Sequence, residues 1–174
     1  TSVAGSSYTY DSNGNLTTGA GRTITWNADN RITQVTQASI TTSYTYDGFG
    51  ERLKKASGSN ISRYPFGDDI ELTNGTFTKY VAVGGVGVVA KRVGIGGGST
   101  TYWLHKDRLG SIQSITDSAG TELQRRTYRP YGDTIADSTG YIESRGYLGE
   151  RRDLETGLTY LHASSQRKEL LARA

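Results

Sequence analysis

The feature that most constrains this chain is a short motif that recurs three times in its first third. An aromatic residue ends a segment of alternating residues, Asp or Asn follows, a polar turn comes next, and an aliphatic residue resumes the alternation. The aromatic residues stand 16 and 20 positions apart, about the length of one β-hairpin step. The repeat therefore predicts antiparallel hairpins laid side by side. Its pairs are Tyr10-Asp11, Trp26-Asn27 and Tyr46-Asp47, and its aliphatic residues are Leu16, Ile32 and Leu53.

Alternation with a period of two assigns the two faces of each strand. In Tyr8-Thr9-Tyr10 and in Tyr44-Thr45-Tyr46 the tyrosines fall on one face and threonine on the other. The chain contains 12 Tyr and 23 Gly but only 2 Pro, a composition typical of many short strands joined by tight turns. We therefore expect an all-β fold in which tyrosine and aliphatic side chains form ladders between neighbouring strands.

Composition and charge exclude several classes of protein. Without Cys the chain has no disulfide framework and no thiolate metal site, and no apolar run approaches the length of a membrane-spanning helix. The net charge of +3 is spread along the chain, whereas nucleic-acid-binding surfaces concentrate their basic residues. We expect no cofactor, no nucleic-acid partner and no membrane insertion. Residues 1–5 lack the features of a signal peptide, which predicts a processed or excised piece.

Four further motifs follow in order in the second half, within residues 102–112, 116–120, 125–133 and 147–160. Together with the Tyr-Asp pairs, this series resembles the RHS, or YD-repeat, family and its RHS-repeat-associated core domain. The resemblance covers roughly residues 8–163 and identifies the chain as a short fragment or a short orphan member. The residues that carry it in the second half are Asp107, Gly110, Ser111, Pro130, Gly132, Asp153, Glu155, Gly157, Leu158 and Tyr160.

The resemblance implies one long, curled or spiral sheet of antiparallel hairpins. It divides the chain into YD-repeat hairpins over 1–78, an RHS-associated core segment over 79–163 that continues the same sheet, and a short tail over 164–174. In relatives such sheets form hollow shells around a C-terminal toxin domain, and in animal teneurins a related shell serves cell adhesion. The tail departs from the family continuation linked to toxin self-cleavage and instead predicts a short helix after Ser164 or Ser165.

The length of the chain bears on its function. With 174 residues it is too short to enclose a cargo, so the first and last strands of its sheet lack partners within the chain. We expect a non-enzymatic bacterial module, secreted or at the cell surface, that self-associates by strand addition into a homo-oligomer, fibre or adhesive scaffold. The alternative is the C-terminal part of an RHS shell that encapsulates and delivers a toxin.

Two candidate metal sites have simpler interpretations. The opening spacing of a calcium loop is present at Asp11, Asn13 and Asn15, but the Gly and Glu required at later positions are missing. A turn is therefore favoured there. The two histidines, His105 and His162, lie far apart in sequence and are most simply half-buried strand residues.

Charged and polar residues suggest other possibilities. Asp153 and Glu155 would share one face of a strand, yet turn formation before Gly157 explains Asp153 more simply than catalysis. The pairs Arg125-Arg126 and Arg151-Arg152 are expected to be solvated strand ends or contacts with an acidic partner.

Glycans remain an open alternative as partners. Exposed aromatic residues flanked by hydroxyl and amide groups can stack on sugars, and Asn60-Ile61-Ser62 and Asn74-Gly75-Thr76 match glycosylation acceptors. The glycine-rich segment 79–98 predicts a strand–turn–strand hairpin, because it lacks the Gly-Lys-Ser/Thr of a phosphate-binding loop.

Overall fold

The computed structural model describes residues 2–3, 6–138 and 143–161, and it confirms an all-β, antiparallel fold. The predicted helical tail and His162 lie outside the described residues. No helix among them is long and apolar enough to cross a membrane. The strands are β1 Ser2–Val3, β2 Ser6–Ser7, β3 Thr9–Tyr10, β4 Leu16–Gly19, β5 Arg22–Trp26, β6 Ile32–Gln37, β7 Ile40–Tyr46, β8 Arg52–Ser57, β9 Asn60–Arg63, β10 Ile70–Thr73, β11 Thr76–Val83, β12 Gly87–Val93, β13 Thr100–Lys106, β14 Ile112–Thr116, β15 Glu122–Tyr128, β16 Thr134–Asp137, β17 Arg151–Asp153 and β18 Leu158–Tyr160.

Fourteen of these strands, β3 to β16, form one sheet in which every strand pairs with the next strand of the chain. In such a meander consecutive turns alternate between the two ends of the strands. The first rim is formed by the turns 11–15, 27–31, 47–51, 64–69, 84–86, 107–111 and 129–133. The second rim is formed by the turns 20–21, 38–39, 58–59, 74–75, 94–99 and 117–121.

A single five-residue turn occurs six times in the sheet. In the copy that begins at Asp47, the Asp47 N–H donates to the Glu51 carbonyl (2.9 Å) and the Gly50 N–H donates back to the Asp47 carbonyl (3.1 Å). The fourth residue has positive φ, +86° at Gly50, which explains the Gly or Asn found there. The six copies are 11–15, 27–31, 47–51, 107–111, 117–121 and 129–133.

The Asp or Asn that opens five of these turns holds the turn backbone with its side chain. Asp47 Oδ1 accepts the N–H groups of Phe49 (2.9 Å) and Glu51 (2.8 Å), and the same pattern is present at Asp11, Asn27, Asp107 and Asp117. The hypothesis of a turn, rather than a calcium loop, at Asp11 agrees with this geometry. Among the described residues no group of three or more His, Asp or Glu side chains is arranged to hold a metal.

Each turn is accompanied by a β-bulge, and the bulge decides which residue enters the core. Tyr10 pairs with Leu16 and Trp26 with Ile32, and both aliphatic side chains are buried. In the third copy Tyr46 pairs with Arg52, so Arg52 is buried while Leu53 is 39% exposed. Leu53, which the sequence groups with Leu16 and Ile32, therefore does not share their position, because the third turn contains the same number of residues as the first two and residue 52 follows it.

The core consists of two clusters on one face of the sheet. The larger cluster contains Leu16, Ile24, Ile32, Val35 and Tyr44, and the smaller contains Leu104, Ile112 and Ile115. On the other face, threonine side chains of neighbouring strands bond to each other at Thr9–Thr17, Thr25–Thr33 and Thr36–Thr41, as the alternation predicts.

The aromatic residues that precede the first-rim turns tie each turn to the one before it. Trp26 Nε1–H donates to the Leu16 carbonyl and the Tyr46 hydroxyl donates to the Ile32 carbonyl, both at 2.8 Å. Tyr10 occupies the equivalent position in the first turn of the sheet and is 53% exposed. No earlier turn of that sheet exists for its hydroxyl to reach, so the predicted tyrosine ladder begins after Tyr10.

The chain after the sheet does not continue it. Residues 78 and 79, the predicted boundary, both lie within β11, and the large sheet extends only to Asp137. Residues 151–160 form the separate hairpin β17–β18. We call residues 143–160 the inner segment, because they lie against the core face of the sheet.

We predict that the Asp47 side chain stabilises its turn through an oxygen acceptor and not through charge. Asp47→Ala removes two hydrogen bonds and should lower the free energy of unfolding by about 1–2 kcal/mol. Asp47→Asn keeps an oxygen acceptor, as Asn27 does in the equivalent position, and should leave stability nearly unchanged. Urea unfolding followed by circular dichroism measures both, and equal losses for the two variants would show that the charge matters.

Candidate functional site

The inner segment contacts strands near both ends of the large sheet, which requires the sheet to curl. The Thr156 carbonyl accepts a hydrogen bond from Arg22 Nε in β5 (2.8 Å), and Arg152 donates to Thr134 in β16 (3.2 Å). These two strands are eleven strand positions apart, or about 50 Å in a flat sheet. Residues 152 and 156 can be separated by no more than about 14 Å. The sheet therefore wraps around the inner segment, in agreement with the curled sheet that the sequence predicts.

The first contact between the sheet and the inner segment is centred on Arg52, which is buried. Its Nη1 lies 2.7 Å from Asp153 Oδ2, and its guanidinium carbon lies 4.2 Å from the ring centroid of Tyr160. The rings of Tyr44 and Tyr64 complete the surroundings at 5.5 Å and 5.1 Å. Three aromatic faces and one carboxylate thus compensate a guanidinium that has been removed from water.

Lys55 extends this cluster. Its Nζ lies 3.3 Å from Asp153 Oδ1 and 3.1 Å from Glu155 Oε2. The two carboxylates that the sequence suggested as a pair are therefore bound to cations of β8, one strand that lies against them. This arrangement uses both carboxylates in structural ion pairs.

The charges are reversed at the second contact, in the middle of the sheet. Here the inner segment supplies two arginines and the sheet supplies the acids. Arg145 Nη2 and Arg151 Nε each lie 3.2 Å from a carboxylate oxygen of Asp68, and Arg151 also pairs with Glu71. Both guanidinium groups stack on the ring of Tyr80, at 4.5 Å and 4.9 Å.

At the third contact the sheet again supplies the cation and the inner segment supplies the carboxylate. Glu143 is completely buried; its Oε2 lies 3.0 Å from Lys91 Nζ, and its Oε1 accepts the Tyr80 hydroxyl at 3.1 Å. Arg126 donates to the backbone carbonyls of Glu143 (2.8 Å) and Arg145 (2.9 Å) and pairs with Asp137. Opposite charges thus meet at all three contacts, and a displacement of the inner segment would bring like charges together.

The pKa values of the buried groups follow from these contacts. Burial opposes the charge of Arg52, but Asp153 outweighs it and the pKa of Arg52 is raised. Burial likewise opposes ionisation of Glu71, yet Arg151 holds its pKa below the usual 4.5. Burial raises the pKa values of the Tyr44, Tyr64 and Tyr80 phenols above their usual 10. The contacts therefore favour charged ion pairs and neutral phenols.

Several motif residues of the second half position the inner segment. Ser111 Oγ accepts the Leu148 N–H (3.0 Å), and the Pro130 carbonyl accepts the Tyr147 hydroxyl (2.5 Å). A Cβ at Gly132 would lie 2.6 Å from the Tyr147 ring, so only glycine fits there. Leu158, after Gly157, packs against the larger core cluster. Asp107 and Gly110 belong to the turn 107–111.

A cavity of about 230 Å³ lies between the inner segment and the last two strands of the sheet. Its lining combines aromatic and charged side chains, among them Arg126, Tyr128, Asp133, Tyr147, Glu150 and Arg152.

Some expectations about single residues are wrong. Arg126 and Arg151, for which we expect solvated strand ends or contacts with an acidic partner, are buried, because alternation directs them inward and acidic residues of the same chain pair with them. His105 is exposed rather than half-buried, since its neighbour Leu104 occupies the core face; it bonds to Thr116 at 3.0 Å.

At the two possible glycosylation acceptors, Asn74 bonds to Asn60 and to the Ile61 N–H, so the amides brace one hairpin. The glycine-rich segment forms the hairpin β11–β12, as predicted. Arg52, Lys91, Asp68, Glu71 and Glu143 are site residues that the sequence did not reveal. The one available signal was Arg52 in the place held by Leu16 and Ile32 in the other repeats.

We predict that Asp153 contributes more to stability than any exposed carboxylate. Asp153→Asn leaves Arg52 buried without a counter-charge and should cost about 3–5 kcal/mol. Glu122→Gln, which removes the exposed pair with Arg125, is the matched control and should have no measurable effect. Adding Arg52→Leu to Asp153→Ala should recover stability, because position 52 accepts an aliphatic residue in the other repeats. No recovery would contradict the role assigned to Arg52.

The raised phenol pKa values predict a loss of stability in alkali. The folded protein retains protons on Tyr44, Tyr64 and Tyr80 at pH values where the unfolded chain loses them, near 10. Stability should therefore be unaffected below pH 10 and fall as the pH rises above it. Tyrosinate absorbance should appear in a late step that coincides with unfolding, and Tyr80→Phe should reduce that step. Ionisation of all 12 tyrosines in one step, with the fold intact, would contradict the prediction.

Comparison with known proteins gives matches in sequence and in fold, although no family model matches the chain. The tRNA3(Ser)-specific nuclease WapA of Bacillus spizizenii is 30% identical over 175 residues, and the tRNA nuclease WapA of Bacillus subtilis is 29% identical. Both matches cover 94% of this chain and 7% of the relative. The chain thus spans only a small part of the length of the curated relatives it matches.

Among solved structures, the crystal structure of TcdB2-TccC3 matches with a TM-score of 0.70 and 22% identity over 87% of this chain and 9% of that chain. The structure of the Photorhabdus luminescens Tc holotoxin pore matches with a TM-score of 0.71 and 23% identity, over 87% of this chain and 8% of that chain. TcdB2-TccC3 without its hypervariable C-terminal region still matches with a TM-score of 0.66 and 19% identity, over 89% of this chain and 10% of that chain. The sequence matches support the relationship to RHS-repeat proteins that the motifs predict, and the structural matches show that the chain shares its fold with part of TcdB2-TccC3.

Proposed function

We propose that this chain is part of the wall of an RHS-type shell that encloses and delivers a toxin. The observation that carries the proposal is the curled 14-stranded sheet whose core face is covered by its own inner segment. The matches to WapA and to TcdB2-TccC3 favour this function over the self-associating fibre that the open sheet edges suggested. Neither fibre formation nor adhesion has support from these relatives.

The proposed role is structural and not enzymatic. The nuclease activity in the name of WapA belongs to a protein of which this chain spans 7%. The likeness to TcdB2-TccC3 persists in the structure without the hypervariable C-terminal region, so the shared fold lies outside that region. On this proposal the chain acts outside the producing cell or at its surface, as part of a toxin rather than as the toxic domain.

On this proposal the ion pairs hold the curvature of the wall. A single antiparallel sheet bends easily across its strands, and its curvature depends on what contacts its concave face. The inner segment joins β5, β8, β12 and β16 through hydrogen bonds and ion pairs and so holds one curvature. Among the described residues β3 and β16 are the edge strands of the sheet, and on this proposal further strands of a longer wall pair with them.

The proposal predicts what the parent protein contains and how it behaves. Its reading frame should carry many further Tyr-Asp units before Thr1 and an unrelated domain after Ala174. In the intact protein, limited proteolysis should leave that domain uncut. Asp153→Asn should expose it to protease, because the wall loosens where Arg52 loses its counter-charge.

Glu122→Gln is the control for that experiment and should leave the domain protected. A reading frame without further repeats would contradict the proposal, as would a C-terminal domain that is digested equally in all variants. Polymers of the isolated chain that Ile135→Lys on the edge strand β16 prevents would instead support the fibre. Light scattering and negative-stain microscopy detect such polymers.

A further inference from the structure

The six equivalent turns reveal side chains that folding does not require. The third residue of each turn is its tip and points to solvent. Asn13 and Asp29 occupy the tip in the first two first-rim copies, so a polar residue is compatible with the turn. The three later first-rim copies carry Phe49, Leu109 and Tyr131 at the same position. These apolar tips therefore call for an explanation other than the fold.

The other two turns of the same rim add to this pattern. From β7 to β16, all five first-rim turns expose a large apolar residue, and the exposed fractions are 93% for Phe49, 68% for Phe66, 57% for Val86, 64% for Leu109 and 77% for Tyr131. Four of the six turns of the second rim are formed by Ala-Gly, Ala-Ser, Gly-Ser and Asn-Gly, and Ile95 is the large apolar residue exposed within a turn of that rim. The apolar row is thus a property of one rim.

Along the rim, residues of similar type lie the same number of turns away on either side of the central turn. Val86 stands in the centre, with Phe66 and Leu109 on either side and the aromatic residues Phe49 and Tyr131 at the ends. The charged residues, in contrast, differ between the two halves of the row. Exposed acids, Glu51 and Asp69, accompany the first half of the row, and the second half carries the exposed arginines Arg108 and Arg129 together with one exposed acid, Asp133.

We propose that the first rim between β7 and β16 is a docking surface for a second copy of this chain, related by a two-fold axis through the Val86 turn. Phe49 of one copy then faces Tyr131 of the second copy. Phe66 faces Leu109 in the same way. The inference does not depend on the shell proposal, because it rests on the rim of this chain alone.

Charge and shape both agree with this arrangement. Glu51 and Arg129 each lie at the end of their turn that is nearer Val86, and Asp133 lies at the outer end of the Arg129 turn. Reversing the row therefore brings Glu51 against Arg129, and the loop of Asp69 against the turn of Arg108, so these acids meet arginines. The rim of a curled sheet is an arc, and a two-fold axis through the middle of the arc superimposes two arcs of equal curvature along their whole length. The result is a closed dimer with the same patch used twice.

The area of the row is sufficient for such a contact. Three exposed aromatic side chains with one Leu and one Val offer on the order of 600 Å² per copy. A stable interface of standard size buries about 800 Å² per partner, and the turn backbone and the four charges can supply the remainder. A line of tips along an arc also fits a matching rim better than it fits a pocket in a globular partner.

Sedimentation equilibrium of the full chain tests the proposal. We expect a monomer–dimer equilibrium whose dissociation constant rises about tenfold or more with Phe49→Asn or Leu109→Asn, since Asn occupies the tip in another copy of the turn. Ile95→Asn, on the second rim, is the matched control and should leave the constant unchanged. Glu51→Arg should weaken the dimer, and the double variant Glu51→Arg with Arg129→Glu should restore it.

Several results would overturn the proposal. A chain that remains monomeric at the highest attainable concentration would do so, whether or not it binds vesicles of anionic phospholipid through Phe49. Association that Ile95→Asn weakens as much as Phe49→Asn would also do so. Association that is lost in Ile135→Lys but not in Leu109→Asn would indicate strand addition at the sheet edge instead. Circular dichroism of each variant separates a lost contact from a lost fold.

Discussion

The buried pairing of Arg52 with Asp153 is the interaction on which the rest of the architecture depends. Position 52 follows a repeated turn and faces the core, where the two earlier repeats place Leu16 and Ile32. An arginine there is unfavourable unless a carboxylate and aromatic faces replace its water. The inner segment supplies Asp153 and Tyr160 for this purpose. The sheet and the segment inside it therefore depend on each other for stability.

Two kinds of interaction divide the work of building this molecule. The five-residue turns are local: an Asp or Asn, a residue with positive φ and four hydrogen bonds reproduce the same hairpin end wherever they occur. The curvature is not local, because it arises where alternating ion pairs join strands that are far apart in the sheet. Local hydrogen bonds thus form the hairpins of the sheet, and ion pairs between distant residues determine its curvature.

This division suits a wall that is extended by repetition. Strands can be added at either edge without change to the turn chemistry, while the inner segment holds one curvature and keeps its charges away from water. The rims are a separate surface, where the side chains of Phe49, Leu109 and Tyr131 at the tips of the turns are exposed to solvent. Apolar residues concentrated on one rim therefore fit a contact surface better than a role in folding.

The sequence by itself determined the all-β class, the hairpin spacing, the turns and the threonine face, because each depends on residues close together in the chain. It also led to the RHS resemblance through motifs of the same local kind. The tertiary structure alone decided that Arg52 rather than Leu53 enters the core, that Arg126 and Arg151 are buried, and that Glu143, Lys91, Asp68 and Glu71 belong to one set of contacts. Those ion pairs join residues 52 to 101 positions apart. Their burial follows from the curl of the sheet, which no pattern of neighbouring residues encodes.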